Sequence, residues 1–315
     1  MNPETKKIKN TNHETMQNFT LKTIPDLDIC VLGALELFMK EKLPKMNITY
    51  KRPLVVGSGN AEATGRIMFH KKDAVFASES DYEEKLKNIK NIDGVVLVSA
   101  SGGKHAPIIA KAAKKYKKHV TLITNNKNAL AKQYSDKIYI FPKQKEPYTY
   151  NTSTYMGMIL GQTHENPKKI YEYITKKTAK IKYPNFANFD KFYVLVPTKF
   201  DGIKRMIQVK FIELFGRRIA RDVETTEYIK HATTVVPSNE LFISFGEKNT
   251  SHGDAKHRLF IPLPDDADYG TMMAISYYVV GHIQHAKPAW FKQNIEQYTK
   301  DASKIFKGQI KTIVE

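Results

Sequence analysis

Short apolar runs alternate with helix-length amphipathic stretches along the first half of the chain. Leu54-Val55-Val56, residues 74–77, Val95-Val96-Leu97-Val98, residues 120–124 and residues 137–141 are brief and rich in β-branched side chains, as strands buried on both faces require. Between them, residues 61–69 and 82–89 read as helices. After residue 104, Ile108, Ala112 and Tyr116, with Ile109 and Ala113 beside them, form one helical stripe. A helix over 24–43, with apolar Ile29, Leu32, Leu35, Leu37 and Phe38, precedes the first strand, and a short helix is expected at 127–133. Strand and helix in alternation predict a parallel sheet covered on both faces, where ligands gather at the carboxyl ends of strands.

A polar segment with Glu146, Thr152 and Thr154 leads into a helix running to about residue 180, and Lys182-Tyr183-Pro184-Asn185 reads as a linker. The pattern then restarts, with strands at 192–196, 241–245 and 259–263 and helices at 202–215, 269–285 and 290–306. Little room remains between Phe245 and Leu259 for a full crossover helix, so the second half is a trimmed repeat of the first. The expected organisation is a flexible tail over 1–22, rich in Asn, Thr and Lys, a first domain over 23–183 and a second over 184–315.

Composition narrows the class. At 315 residues, 41% hydrophobic and 26% charged, the chain suits a folded protein of about two domains. No apolar run approaches a membrane span and residues 1–18 have no signal-peptide core, so a cytoplasmic protein is expected. The single cysteine, Cys30, excludes an intramolecular disulfide, and the histidines 252, 257, 282 and 285 show no metal-binding spacing; no metal and no cofactor are expected. The net charge of +18 raises nucleic-acid binding as a rival. The lysines at 111, 114, 115, 117 and 118 and between 168 and 182 lack interleaved aromatics, and read as solvated helix faces.

Candidate chemistry gathers in two loops that follow strands, Gly57-Ser58-Gly59-Asn60 and Ser99-Ala100-Ser101-Gly102-Gly103-Lys104. A Ser-Gly turn opening a helix aims backbone N–H groups and hydroxyls at one spot, with the positive end of the helix dipole behind them, and suits a phosphate. The same residues also serve as a plain tight connection in an α/β fold.

The run from Ser99 to Gly103 resembles the Ser-x-Ser-Gly-x-Thr phosphate loop of the sugar isomerase (SIS) domain family, with Lys104 where that family has threonine. Lys210-Phe211-Ile212-Glu213, Glu227-Tyr228-Ile229-Lys230-His231 and residues 311–315 are similar to segments of the isomerase half of glutamine–fructose-6-phosphate aminotransferase, whose tail folds over its active site. The glutamine-hydrolysing domain of that family has no counterpart, so an ammonia-producing synthase is not expected. The resemblance implies two tandem SIS domains, each a mainly parallel sheet flanked by helices in a flavodoxin-like three-layer sandwich. It implies a phosphosugar site of Ser58, Ser99, Ser101, Gly102, Gly103, Lys104, Glu146 and Thr152, and a homodimer.

The activity implied is metal-independent aldose–ketose isomerisation of a sugar or amino-sugar phosphate through an enediol. Glu213 would move the proton, Lys210 would steady the enediolate or hold Glu213 ionised, and His231 would open the sugar ring. By spacing alone Lys210 and Glu213 are also an ordinary helical ion pair, and His231 a partly buried polar residue. A phosphosugar-binding regulatory protein without turnover is the alternative function.

Overall fold

A computed structural model of the chain describes residues 11–232, 234 and 236–315. The first sheet contains β1 (Pro53–Val56), β2 (Val75–Ala77), β3 (Gly94–Val98), β4 (Val120–Thr124) and β5 (Lys137–Ile140), all parallel, in the order β2-β1-β3-β4-β5. Alternate residues of each strand leave on opposite faces. Val55, Val96, Val98 and Ile123 enter the main core, whereas Leu54, Val56, Val95, Leu97, Val120 and Leu122 meet a smaller cluster. The helices of this half are α1 (Asn12–Asn18), α2 (Leu27–Lys40), α3 (Asn60–Met68), α4 (Tyr82–Asn88), α5 (Ala106–Lys115), α6 (Thr152–Thr163) and α7 (Pro167–Lys176).

The second sheet, in the order β10-β9-β7-β8, is also parallel: β7 (Lys191–Val196), β8 (Ala220–Thr225), β9 (Leu241–Phe245) and β10 (Arg258–Ile261). Helices α8 (Lys204–Phe215), α9 (Ile229–Ala232), α10 (Tyr269–Ala286) and α11 (Trp290–Ile305) accompany it, and β11 (Ile313–Val314) pairs antiparallel with β6 (Glu146–Pro147). Phe192, Val194, Val196, Ile243 and Phe245 share one core with α2, α6, α8 and α10. Among the described residues, the opposite face carries a small cluster of Tyr193, Leu195 and Phe242 with Ile229 of α9. Between β9 and β10 there is a single short turn at Ala255–His257, so this half is trimmed as expected. Helices α2 and α10 cross so closely that a Cβ at Gly281 would stand 2.1 Å from the Asp28 nitrogen.

Three expectations are corrected and one strand is added. Residues 12–18 of the supposed tail form α1, capped by Thr11, because Met16 and Phe19 find full burial against α2; residues 1–10 of that tail lie outside the described residues. The buried stripe of α5 is Ala106, Ile109, Ala110 and Ala113, leaving Ile108 60% exposed. The single helix expected up to residue 180 is two, broken at His164 in a left-handed conformation (φ 60°) and restarted under the Asn166 cap with Pro167 in the first turn. Strand β8 was not anticipated: Ala220-Arg221-Asp222-Val223-Glu224-Thr225 is an edge strand, half exposed and charged.

Candidate phosphosugar site

The first sheet reverses its strand order between β1 and β3, so the loops after these neighbours part and leave a crevice at their carboxyl ends. A cavity of about 250 Å³ lies there, lined by Gly57 and Ser58 after β1, by Ser99, Ser101, Lys104 and His105 after β3, and by Tyr155 of α6. Larger cavities lie beside it and elsewhere. One of about 840 Å³ shares the Ser101 wall with Asn125, Lys143 and Glu315, and one of about 670 Å³ stands against Tyr193 and Phe242 on the second sheet. Position at the switch point and loop chemistry single out the smallest of the three.

The loop after β3 is held by its carbonyls. Ala100 O accepts from Asn125 N and from Thr124 Oγ1, both at 3.0 Å; Ser101 O accepts from Asn126 Nδ2 at 2.9 Å, and Gly102 O from Ala131 N at 3.0 Å. Gly102 is required: its φ is +57°, and a Cβ would sit 2.4 Å from that of Ala129. With the carbonyls engaged, the Gly102 amide donates to Ser99 Oγ at 3.2 Å and the Gly103 amide to Ser101 Oγ at 3.3 Å. Both hydroxyls therefore act as acceptors toward the loop and keep their own protons to donate. Among the described residues no acceptor serves the Lys104 and His105 amides, which open α5. This is a donor-rich pocket at a helix N-terminus, suited to an anion.

Not every expected residue joins it. Lys104 borders the cavity, yet its ammonium donates to Phe306 O at 2.8 Å and lies 5.2 Å from the Phe306 ring centre, capping the end of α11. Glu146 is buried and accepts from the amides of Thr152 and Ser153, both at 2.7 Å, and from Gln144 Nε2 at 3.3 Å; it caps α6. Thr152 is fully buried, with its hydroxyl on Tyr150 O at 3.3 Å. Both belong to the structure around α6, and neither lines the cavity. Ser58 does line it, and its hydroxyl donates to Glu79.

Lys210 is fully buried, and its ammonium divides among Thr149 O at 2.6 Å, Tyr150 O at 2.8 Å and Glu213 Oε2 at 2.8 Å. It ties α8 to the β6–α6 turn. Burial pushes the Glu213 carboxyl above its ordinary pKa and outweighs the pull of Lys210. Glu213 in turn adds to the raised pKa values of Tyr155 and Tyr298, whose main cause is burial; Tyr298 is pushed up to about 12. Glu213 does not itself line the cavity. His231 is on exposed α9, 6.0 Å from the Tyr228 ring. Helix α9 covers the Tyr193–Phe242 face of the second sheet and α8 the opposite face, so one chain does not bring His231 to Glu213.

The structure adds His105, Tyr155 and Glu79 to the neighbourhood. His105 directly follows the serine loop and was within reach of sequence reading. Tyr155 and Glu79 arrive from other elements and leave no local signal. The tail pairs through Ile313 and Val314 with Pro147 and Glu146, which places Glu315 against the 840 Å³ cavity. No described helix is long and apolar enough to cross a membrane.

No protein-family model matches the chain, and no curated protein matches its sequence. Solved structures do match its fold. A structure described as a phosphosugar isomerase from Clostridium difficile 630 superposes with a TM-score of 0.58 at 13% identity, covering 94% of this chain and 100% of that one. Glucosamine-6-phosphate deaminase from Thermotoga maritima gives 0.53 at 14% identity, covering 87% and 92%. Tagatose-6-phosphate ketose/aldose isomerase from Escherichia coli gives 0.52 at 12% identity, covering 88% and 94%. The chain has the double sugar-isomerase fold: two parallel sheets flanked by helices, the second trimmed.

Proposed function

We propose that this protein binds the phosphate of a phosphorylated sugar on residues 99–105 and isomerises the sugar between aldose and ketose through an enediol. The observation that carries the reading is the donor geometry of that loop. Ser99 and Ser101 keep free protons, the Lys104 and His105 amides lack acceptors among the described residues, and the cavity opens at the switch point. The fold likeness to proteins named for sugar phosphates supports it. Glu213 is the base of the proposal: its pKa is raised by burial, which moves a carboxyl toward the range useful for taking and returning one proton. Glu213 does not line the cavity as it stands, so turnover requires the ligand or the carboxyl to reach beyond that lining. Ring opening by His231 requires a second copy of the chain, because its own sheet stands between it and Glu213.

A second reading, phosphosugar binding without turnover, is favoured by one specific observation. The three protons of Lys210 already meet three acceptors, which leaves none for an enediolate. The test is proton exchange by NMR in D₂O with fructose 6-phosphate and glucosamine 6-phosphate, beside Glu213→Gln and a Ser99→Ala/Ser101→Ala variant. Deuterium at C1 or C2 that disappears in Glu213→Gln establishes isomerisation. Absence of exchange, with thermal protection by the sugars that needs both serines, refutes turnover and leaves the binding protein. Protection that persists without the serines, or no protection at all, refutes the phosphate site.

A further inference from the structure

The cavity at the switch point has two chemically different ends, and hydrogen-bond direction tells them apart. At Ser99 and Ser101 the hydroxyls accept from amides, which can only donate, so each serine turns its own proton outward. At Ser58 the order is reversed. Its hydroxyl is bonded to the Glu79 carboxylate, which can only accept, so the one proton of Ser58 is committed. Ser58 lines the same cavity and has only lone pairs left to offer there, with a negative charge directly behind it.

We infer that Ser58 and Glu79 form the specificity-determining pole of the site: they receive a hydrogen-bond donor of the ligand, prefer an ammonium to a hydroxyl, and repel phosphate. This inference rests on the phosphate reading of the loop at 99–105 and adds the orientation of the ligand. A phosphate at Ser58 would face a carboxylate across a single oxygen atom, whereas at Ser99 and Ser101 it meets protons and the opening of α5. The ligand therefore enters with its phosphate toward β3 and a donor substituent toward β1. An ammonium at that end gains a charge-assisted bond that a hydroxyl does not.

Glucosamine 6-phosphate and glucose 6-phosphate, which differ only at C2, test this by calorimetry at neutral pH on the full chain, with inorganic phosphate as the third probe. The wild type is expected to bind the amino sugar about tenfold more tightly than glucose 6-phosphate. Glu79→Gln should bring the two within about twofold by weakening the amino sugar, with inorganic phosphate bound at least as tightly as by the wild type. Glu79 is exposed, so the variant is expected to fold, and its melting temperature checks this. Equal affinities in the wild type, or a preference that survives Glu79→Gln, overturn the assignment and leave the phosphate reading standing if Ser99→Ala/Ser101→Ala weakens all three probes. If none of the probes binds the wild type, the phosphate reading falls and this inference falls with it.

Discussion

Replacing Lys210 by methionine is the most searching perturbation of the proposed centre, because it removes a charge without changing side-chain length much. The ammonium is fully buried and holds Thr149 O, Tyr150 O and Glu213 at 2.6–2.8 Å. Lys210→Met strands two carbonyls and leaves the Glu213 carboxylate without its counter-charge; breaking one partner of a buried ion pair costs about 3–5 kcal/mol. Glu213→Gln leaves the buried ammonium without its counter-charge but keeps an amide oxygen that still accepts from Lys210, and should cost less, about 2 kcal/mol. Urea unfolding of both single variants and the double variant measures these costs. Because Glu213→Gln removes the very charge that Lys210→Met leaves buried and unpaired, the double variant should be more stable than Lys210→Met alone. Acidity supplies a second check. Burial raises the Glu213 pKa in the folded protein above its ordinary 4.5, so the folded state binds the proton more tightly than the unfolded chain. This carboxyl therefore costs stability above its folded pKa, and the cost fades as pH falls through that value toward 4.5. Wild type should gain on Glu213→Gln as pH is lowered from neutrality. A Lys210→Met variant within about 1 kcal/mol of wild type, or a pH trend of opposite sign, refutes the account of a buried ammonium locking α8 to the β6–α6 turn.

Two further outcomes follow from the loops. Gly102→Ala forces a left-handed φ of +57° on a residue with a Cβ and drives that atom to 2.4 Å from Ala129. The conformation alone costs about 1–2 kcal/mol, so melting temperature and inorganic phosphate affinity should both fall, and a variant that keeps both is incompatible with the loop described. Glu146→Ala uncaps α6 and should lower urea stability by about 2 kcal/mol, with the ratio of sugar-phosphate affinities unchanged; a selective loss of sugar binding at full stability would return Glu146 to the site.

Where a signal was local in the chain, sequence reading found it. The strands β1, β3 and β4 announce themselves by apolar β-branched runs, and the serine loop between β3 and α5 contains its own turn chemistry within six residues. Strand β8 escaped because an edge strand needs burial on few of its residues, and Arg221, Asp222 and Glu224 hide the alternation. The expected stripe of α5 includes Ile109 and Ala113, which are buried, but takes in Ile108 and omits Ala106 and Ala110, because alanine fills the core as readily as isoleucine and only the sheet beneath decides which stripe turns inward.

The site residues divide along the same line, but the dividing quantity is the hydrogen bond and not the hydrophobic stripe. Ser58, Ser99 and Ser101 look alike as serines in glycine-bearing loops, and all three line one cavity. What separates them is the partner each hydroxyl already has: an amide for two of them, a carboxylate twenty-one residues away for the third. Lys210 is likewise one turn from Glu213 on any helical projection, yet its other two acceptors sit sixty and sixty-one residues back, in the turn before α6. A residue type limits what chemistry is possible at a position; the long-range partner decides whether the proton is still available for a ligand. That is why a phosphate loop can be read from six consecutive residues, whereas the polarity of the pocket and the reach of its base become visible only once the distant partners are in place.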